Sequence, residues 1–426
     1  MYKLKLTIAT FLLMILWVVF VFISAFYGWW MSPIASPGDT EDFFRKATEI
    51  LVEENRGNAA LVLIEDGKVS KEYYSSSKDP IDKDTVFLTA SMSKWFTANG
   101  VMKLVQDGKI DLDAPVSSYL TRWKLPPSEF DNDEVTIRRL LSHTAGLNDG
   151  LGFGDYDSDE RLPTIVESLS NPRASSDREV EIAVKTQPGA QWDYSGGGYL
   201  ILELLIEEVS GKTYQEYMNE TFFIPLEMSR STYDYMGNID NNAGSYERNG
   251  EPAPVYQYAS SAATGFVTSS ADLSKFVIAQ IVNQDTDSIL DPGILERATL
   301  ESMREPHGRT LGFDIWGLGA MLYAPTGSGD FVFGHDGGND PAINSAARIN
   351  PDNGDAIIVL ETGHLSLATN ISSHWVLWQT GYPDVLDSDS VIQSTYLPGL
   401  SGVIFLLLAS IFLGYRHYRK IHSSGF

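Results

Sequence analysis

Two uncharged apolar runs bracket this chain, and they limit what the middle can be. Thr7 to Trp30 holds no charged side chain and follows Lys3 and Lys5; Leu397 to Tyr415 is a second such run, with Arg416, Arg419 and Lys420 directly behind it. A helix of about 20 apolar residues spans a bilayer, so each run predicts a transmembrane helix. The first closes on Phe26, Tyr27, Trp29 and Trp30, an interfacial aromatic belt. A cleaved leader is the alternative there, with an apolar region of roughly 7 to 15 residues and a small-x-small site behind it. Ser32-Pro33-Ile34-Ala35-Ser36 matches that pattern poorly. A buried helix is the alternative for the second run, and the basic tail argues against it. By the positive-inside rule both basic flanks lie in the cytoplasm. The expected order is an anchor over 1–31, a domain over 32–395 on the far side of the membrane, and a helix with a basic tail over 396–426. The two helices are expected to pack together.

Charge and cysteine usage then exclude whole classes. The chain carries a net charge of −25 and no cysteine. Both flanks are basic and free of acids, so the domain between them is more acidic than the total. Such a domain is repelled by nucleic acid and by anionic headgroups, which excludes a nucleic-acid partner. Without cysteine there are no disulfides, no thiolate catalysis and no cysteine–zinc site. No H-E-x-x-H, EF-hand loop or Walker loop occurs, so neither a metal nor another cofactor is implied. At 426 residues the chain can bury a large core.

Along the domain, Ser32 to Thr40 reads as a linker, and Glu41 to Glu54 has helical periodicity. Ala59 to Ile64 and Val69 to Tyr74 flank Glu65-Asp66-Gly67-Lys68, a hairpin signal. A helix-rich segment follows over about 94–256; within it Asn148 to Arg161 is glycine-rich and acidic and predicts a loop at a pocket rim. Strands return from about Ala259 to Gly363, with Pro351-Asp352-Asn353-Gly354-Asp355 as a hairpin turn, and Leu365 to Trp378 reads as a helix. The fold class is α+β: an antiparallel sheet flanked by helices, joined to an all-helical lobe, with a site between them and one transmembrane helix at each end.

The chemistry concentrates at Ser91-Met92-Ser93-Lys94, where the strand-like Thr85 to Ala90 runs into the helical Trp95 to Val105. A serine at a helix N-terminus has free backbone N–H groups and a positive dipole end beside it. A lysine three residues on lies one turn up the same face, and its amine can activate the serine without a histidine. Alone, the same four residues also describe a helix cap and a solvated lysine. Two further segments join them. Tyr194-Ser195-Gly196-Gly197-Gly198-Tyr199 precedes an apolar helical run, and Gly334-His335-Asp336-Gly337-Gly338 follows the strand-like Phe331-Val332-Phe333. A nucleophilic serine, a lysine and a tyrosine to move protons, and a glycine-lined strand edge that lets a substrate approach the backbone make an acyl-transfer kit. His143, after a leucine pair in a turn, reads as structural.

With these segments in order, the chain resembles the serine β-lactamase and penicillin-binding protein superfamily in its class C branch, over roughly residues 40 to 380. That branch includes D-alanyl-D-alanine carboxypeptidases, D-aminopeptidases and esterases. Val135-Thr136-Ile137-Arg138-Arg139-Leu140-Leu141-Ser142-His143-Thr144-Ala145-Gly146-Leu147 is similar to a V-T-I-R-x-L-L-x-H-T-x-G-L stretch of that branch. Ala263 to Leu273 resembles its G-G-x-x-S-x-x-D-L segment. The resemblance implies that Ser91 is acylated, that Lys94 and Tyr194 share the general-base role, and that the N–H groups of Ser91 and Gly338 form an oxyanion hole. His335 stands where many relatives have the lysine of K-T-G and would hydrogen-bond near Tyr194. Gly196, Gly337 and Asn339 would line the substrate. The tyrosine motif of the branch is Y-x-N, and position 196 is glycine, so one partner for a substrate amide is gone and selectivity for amides should fall; Asn339 or Asn344 could replace it. The implied protein is a serine hydrolase of the bacterial plasma membrane, with its domain outside the cytoplasm. It would take a small-molecule or peptide substrate: an ester or an amide such as a D-amino-acid peptide. The alternative is a β-lactamase, or a penicillin-binding sensor that is acylated and turns over slowly.

Overall fold

The Asp66-Gly67 turn forms the hairpin its sequence predicts. Strand β1 (Ala59–Glu65) returns as β2 (Lys68–Ser75), with Asp66 and Gly67 at φ of 50° and 70°, as a two-residue hairpin of this hand requires. The computed structural model describes residues 2–149, 155–174, 180–281 and 294–423. The tip of the expected rim loop, residues 150–154, lies outside the described residues.

The other strands are β3 (Val86–Leu88), β4 (Asp155–Tyr156), β5 (Ser245–Tyr246), β6 (Pro252–Ala253), β7 (Gln257–Tyr258), β8 (Val267–Ser269), β9 (Gly308–Thr310), β10 (Phe313–Trp316), β11 (Met321–Pro325), β12 (Phe331–Asn339), β13 (Ile343–Asn350) and β14 (Asp355–Thr362). Eight of them form one sheet in the order β2-β1-β14-β13-β12-β11-β10-β9, every neighbour antiparallel. The helices are α1 (Tyr2–Ala25), α2 (Thr40–Glu54), α3 (Ser93–Gln106), α4 (Ile137–Leu141), α5 (Ile165–Ser170), α6 (Gly196–Ser210), α7 (Tyr214–Met218), α8 (Ser270–Ala279), α9 (Arg297–Arg304), α10 (Leu367–Thr380), α11 (Ser388–Ser394) and α12 (Tyr396–Ser423).

Side chains alternate across a strand, and β1 divides accordingly. Ala59, Leu61 and Leu63 join a core under α2 and α10; Ala60, Val62 and Ile64 face the helical lobe. Helix α2 places Phe43, Ala47 and Leu51 on one stripe, one turn apart, and the Phe43 ring stacks on Trp378 of α10 at 4.9 Å. In the lobe, α6 buries every residue from Tyr199 to Ile206, so its middle is enclosed on all sides.

Two expectations are corrected. The lobe is not all-helical: β4 pairs with β7 and β5 with β6. These short ladders sit in segments rich in Gly, Asn and Pro, residues that disfavour a helix interior. The stretch from 259 to 363 is not all strand, because Ser269 caps α8 by accepting the Asp272 N–H at 3.2 Å, and α9 follows. Strand β8 pairs with β3, which leads into Ser91.

Helices α1 and α12 lie against each other. Thr10 Oγ1 donates to Ser410 Oγ at 2.9 Å, Trp17 Nε1 donates to the Pro398 carbonyl at 3.0 Å, and the Tyr2 and His417 rings stack at 3.6 Å. Both are long and apolar enough to cross a membrane.

Candidate active site

The site begins with the entry into α3. Thr89 is tied to Phe266 on β8's approach: its N–H and Oγ1 both donate to the Phe266 carbonyl, at 3.0 and 2.9 Å. The chain then turns through Ala90, a non-glycine residue at φ 48°, a conformation that costs L-residues about 1–2 kcal/mol. One turn of 3-10 helix, Ala90–Met92, runs into α3. Ser93 holds this bend: its Oγ donates to the Ala90 carbonyl at 2.6 Å and accepts the Phe266 N–H at 3.0 Å. The second serine of the motif is therefore a brace. Ser91 is left half-buried at the bend, with its N–H in a first turn that has no helical acceptor for it.

Lys94 is 2% exposed. Its Nζ donates to Ser91 Oγ at 3.2 Å and to the Ala263 carbonyl at 2.8 Å, and lies 5.0 Å from the centre of the Tyr194 ring. The loop that supplies this carbonyl is held from behind by Glu203 of α6. Glu203 Oε2 accepts from the Ala262 N–H at 2.9 Å and from Ser260 Oγ at 3.3 Å, while the Ala263 N–H donates to Ser260 Oγ at 3.1 Å. Burial pushes the Glu203 carboxyl up to about 8, against the lowering effect of the backbone N–H it accepts.

Tyr194 immediately precedes the cap of α6. Ser195 Oγ accepts the Gly198 N–H at 2.8 Å and donates to Asp149, and the Ser195 N–H donates to His143 Nδ1 at 3.0 Å. The structural reading of His143 fits this placement. It is buried, its charge is disfavoured by that burial and then by Lys94, and its ring packs 4.5 Å from Tyr194. Trp316 of β10 covers the other side, 5.7 Å from Tyr194 and 4.6 Å from His143. Gly196 is the first residue of α6 and offers no side chain to a ligand.

Strand β12 closes the site. A Cβ on Gly337 would overlap the Thr89 carbonyl oxygen and come within 2.9 Å of Ser91 N, so this strand can lie on the serine bend only as glycine. The Asp336 N–H donates to the Met321 sulfur of β11 at 3.3 Å. N–H groups two residues apart leave a strand at the same edge, so the Gly338 N–H emerges on that edge as well. The ladder with β11 ends at Gly334, which leaves the edge at Gly338 open beside Ser91.

His335 is 1% exposed. Its Nδ1–H donates to the Asp336 carbonyl at 2.6 Å, and Nε2 is buried with no partner among the described residues. Burial first, and then the Lys94 charge, push its pKa down to about 4, so the ring is neutral and Nε2 carries a lone pair. The imidazole makes no hydrogen bond to Tyr194 itself. His335 instead meets Trp316 edge-on at 5.4 Å, and the same indole lies against Tyr194. Asn339 is engaged by the Tyr258 hydroxyl. Asn344 is no substitute for a missing asparagine at 196: its side chain is buried and spent on the Gly337 carbonyl at 2.9 Å, the Thr369 N–H at 2.9 Å and Thr369 Oγ1 at 3.2 Å.

Behind β12, Arg348 is 0% exposed and bridges Asp336 and Asp384, with the Tyr323 hydroxyl donating to Asp336 at 3.0 Å. Glu203, Trp316 and this ion cluster are absent from the sequence-based site. The one sequence signal is Glu203 itself, an acid inside the apolar run Tyr199 to Ile206. A surface hollow of about 550 Å³ lined by Ile81, Asn238 and Tyr246 lies away from Ser91 and contains none of these groups.

The beta-lactamase family model matches residues 42–378. Penicillin-binding protein 4* of Bacillus subtilis (strain 168) is 32% identical over 192 residues, covering 43% of this chain and 39% of that protein. The chain thus matches about two fifths of that relative's length. Protein flp of Staphylococcus aureus (strain N315) is 23% identical over 394 residues, covering 85% of this chain and 72% of the relative. Among solved structures, the octameric penicillin-binding protein homologue from Pyrococcus abyssi has a TM-score of 0.64 at 25% identity, covering 81% of this chain and 78% of its own. The D-amino acid amidase from Ochrobactrum anthropi SV3 has a TM-score of 0.57 at 23% identity, covering 77% and 98%. With the family model spanning most of its length, and with the sheet and helices of that fold, this chain belongs to the beta-lactamase family, within the serine β-lactamase and penicillin-binding protein superfamily.

Proposed function

We propose that this chain is a membrane-anchored serine hydrolase that works through an acyl-enzyme on Ser91. The observation that carries the reading is the Lys94 amine at 3.2 Å from the Ser91 hydroxyl, beside the open edge of β12 at Gly338. In this reading the Ser91 proton passes to Lys94 Nζ as Oγ attacks the substrate carbonyl. The oxyanion is held by the N–H groups of Ser91 and Gly338. The proton passes through Lys94 and Tyr194 to the leaving oxygen or nitrogen as the acyl–leaving-group bond breaks. Water then attacks the ester, its proton returns to Ser91, and the acid is released.

Esters and D-aminoacyl amides rank above β-lactams as substrates. Gly196 supplies no amide-binding side chain, and His335, neutral above its lowered pKa of about 4, supplies no cation for a carboxylate at neutral pH. A hydrolase with promiscuous acyltransferase activity, EstCE1, shares the fold at a TM-score of 0.60 and 19% identity. Helices α1 and α12 would hold the domain outside the cytoplasm of a bacterial plasma membrane, with both ends inside.

The test is a panel on the full chain in detergent: p-nitrophenyl acetate, a D-alanyl-D-alanine peptide and nitrocefin. Ester or D-peptide hydrolysis that vanishes in Ser91→Ala supports the reading. Undiminished hydrolysis in Ser91→Ala excludes it. A fluorescent penicillin that labels Ser91 and stays bound would replace it with an acylated sensor.

A further inference from the structure

The hairpin of β9 and β10 forms one edge of the main sheet, and its two ends have opposite surroundings. At the inner end Trp316 is 1% exposed and packs on His143, Tyr194 and His335. At the tip Leu311 is 92% exposed, held out by two left-handed residues, Leu311 at φ 50° and Gly312 at φ 88°. Between them Phe313 stacks on Phe26 at 4.7 Å with an interplanar angle of 27°. Phe26 is the first residue after α1, and Tyr27 and Trp29 beside it are 59% and 64% exposed.

This junction is packed, not a chance touch of a free tail. Gly28 lies so close to the end of α10 that a Cβ would come within 2.6 Å of the Gly381 carbonyl oxygen and 3.5 Å of Pro383. The end of the anchor is thus seated on the domain, and the hairpin tip is continuous with the anchor's aromatic belt.

We infer that the Leu311 hairpin is a third membrane contact, and that it holds the catalytic groups at the bilayer face so that the acyl donor is an amphiphile of that interface. This rests on the anchor reading of α1 and α12. A lone exposed leucine on a soluble surface is ordinary. Here it extends a row of Phe26, Tyr27 and Trp29, and rings of this kind sit at headgroup level. Phe313 and Trp316 are three residues apart on one strand, about 10 Å, so the ring that walls Tyr194 and His335 lies that far along the strand from the ring that meets Phe26. The strongly acidic domain is repelled by anionic lipid, so the contact is apolar and insensitive to salt. A water-soluble substrate gains nothing from this placement; one whose acyl chain stays in the bilayer is delivered to Ser91.

The chain has no cysteine, so single cysteines can carry an environment-sensitive fluorophore. The full chain would be placed in vesicles of phosphatidylethanolamine and phosphatidylglycerol, labelled in turn as Leu311→Cys, as Leu408→Cys on α12, and as Lys68→Cys at the opposite edge of the sheet. The expected result is quenching by nitroxide lipids at 311 and 408 and none at 68. Quenching at 408 without 311 overturns the hairpin contact and leaves the anchors standing. Silence at 408 removes the anchors and this inference with them. For the substrate, Leu311→Asp should slow hydrolysis of a long-chain p-nitrophenyl ester dissolved in the vesicles by about tenfold, the loss of one buried leucine, with p-nitrophenyl acetate hydrolysis unchanged. Equal rates of variant and parent on the long-chain ester overturn the amphiphile. If the parent hydrolyses neither ester, the hydrolase reading fails on its own, and the quenching still judges the contact.

Discussion

Lys94 reaches Ser91 from one helical turn above it, with Nζ 3.2 Å from Oγ, and is held there by the Ala263 carbonyl at 2.8 Å. A lysine this buried has few other positions to occupy. In the proposed mechanism this amine accepts the Ser91 proton, and its direction is set by a loop from another part of the chain.

Replacing Lys94 with Met removes the base and keeps the volume. We expect kcat on p-nitrophenyl acetate to fall by about 10²–10⁴-fold. The melting temperature should hold or rise, because a buried polar group is replaced by an apolar one of similar size. A Lys94→Met enzyme that turns over at the parent rate would remove lysine from the mechanism.

Glu203 holds the loop that carries the Ala263 carbonyl, the second partner of Lys94. Glu203→Ala leaves Ser260 and the Ala262 N–H without their buried acceptor, at a cost of about 1–3 kcal/mol, and frees the carbonyl, so kcat should fall with little change in KM. Glu203→Gln keeps an acceptor oxygen. Its stability signature is distinct: the folded pKa is raised from 4.5 to about 8, so the folded state binds the extra proton between those values. The carboxyl's contribution is complete below the unfolded pKa and is lost as pH rises toward 8. Thermal melts of parent and Glu203→Gln should agree near pH 5 and diverge near pH 9, with the glutamine variant the more stable. Parallel melts across that range would show that Glu203 is not the titrating group.

His335 gives the opposite slope. Its pKa falls from 6.5 to about 4 through burial and the nearby Lys94 charge, so between those values the unfolded chain binds the proton that the folded chain refuses. Stability is therefore full above 6.5 and declines as pH drops toward 4, by up to about 3 kcal/mol for a shift of this size. His335→Asn should flatten that acid limb in urea titrations. Loss of the limb with rates preserved would make His335 a structural group; loss of activity at neutral pH, where fold and stability are kept, would place its Nε2 lone pair in the reaction.

What could be read from the sequence follows the range of the interaction. Ser91 and Lys94 are three residues apart on one helix, and that spacing alone brings them together. The hairpin at Asp66-Gly67 and the cap at Ser269 are equally local. Tyr194 and Gly337 arrive from other elements, so their residue types completed an acyl-transfer kit and the resemblance to a family gave them their roles beside Ser91. Trp316, from a hairpin with no motif of its own, packs against both the Tyr194 and the His335 rings, and no sequence signal announced it. Glu203 is visible as an acid in an apolar run, but its purpose depends on a loop about sixty residues away. The ladders of β4 with β7 and β5 with β6 are two residues long, too short to impose a period on the sequence.

The ion cluster behind β12 supplies the last prediction. Arg348 is fully buried between Asp336, one residue before Gly337, and Asp384. Burial raises the Asp384 carboxyl while the guanidinium lowers it. Arg348→Met would strand the buried Asp384 carboxylate and the partly buried one of Asp336, and breaking one side of such a cluster costs about 3–5 kcal/mol. Adding Asp336→Asn and Asp384→Asn removes the stranded charges, so the triple variant should recover much of the lost melting temperature. Asp384 lies just before α11, which leads into α12, so the cluster fastens the strand that covers Ser91 to the segment entering the second apolar helix. If it does so, the triple variant will regain stability without regaining kcat, since its neutral side chains fill the space and no longer fix β12 over the serine. Full recovery of both would make the cluster a stability element alone.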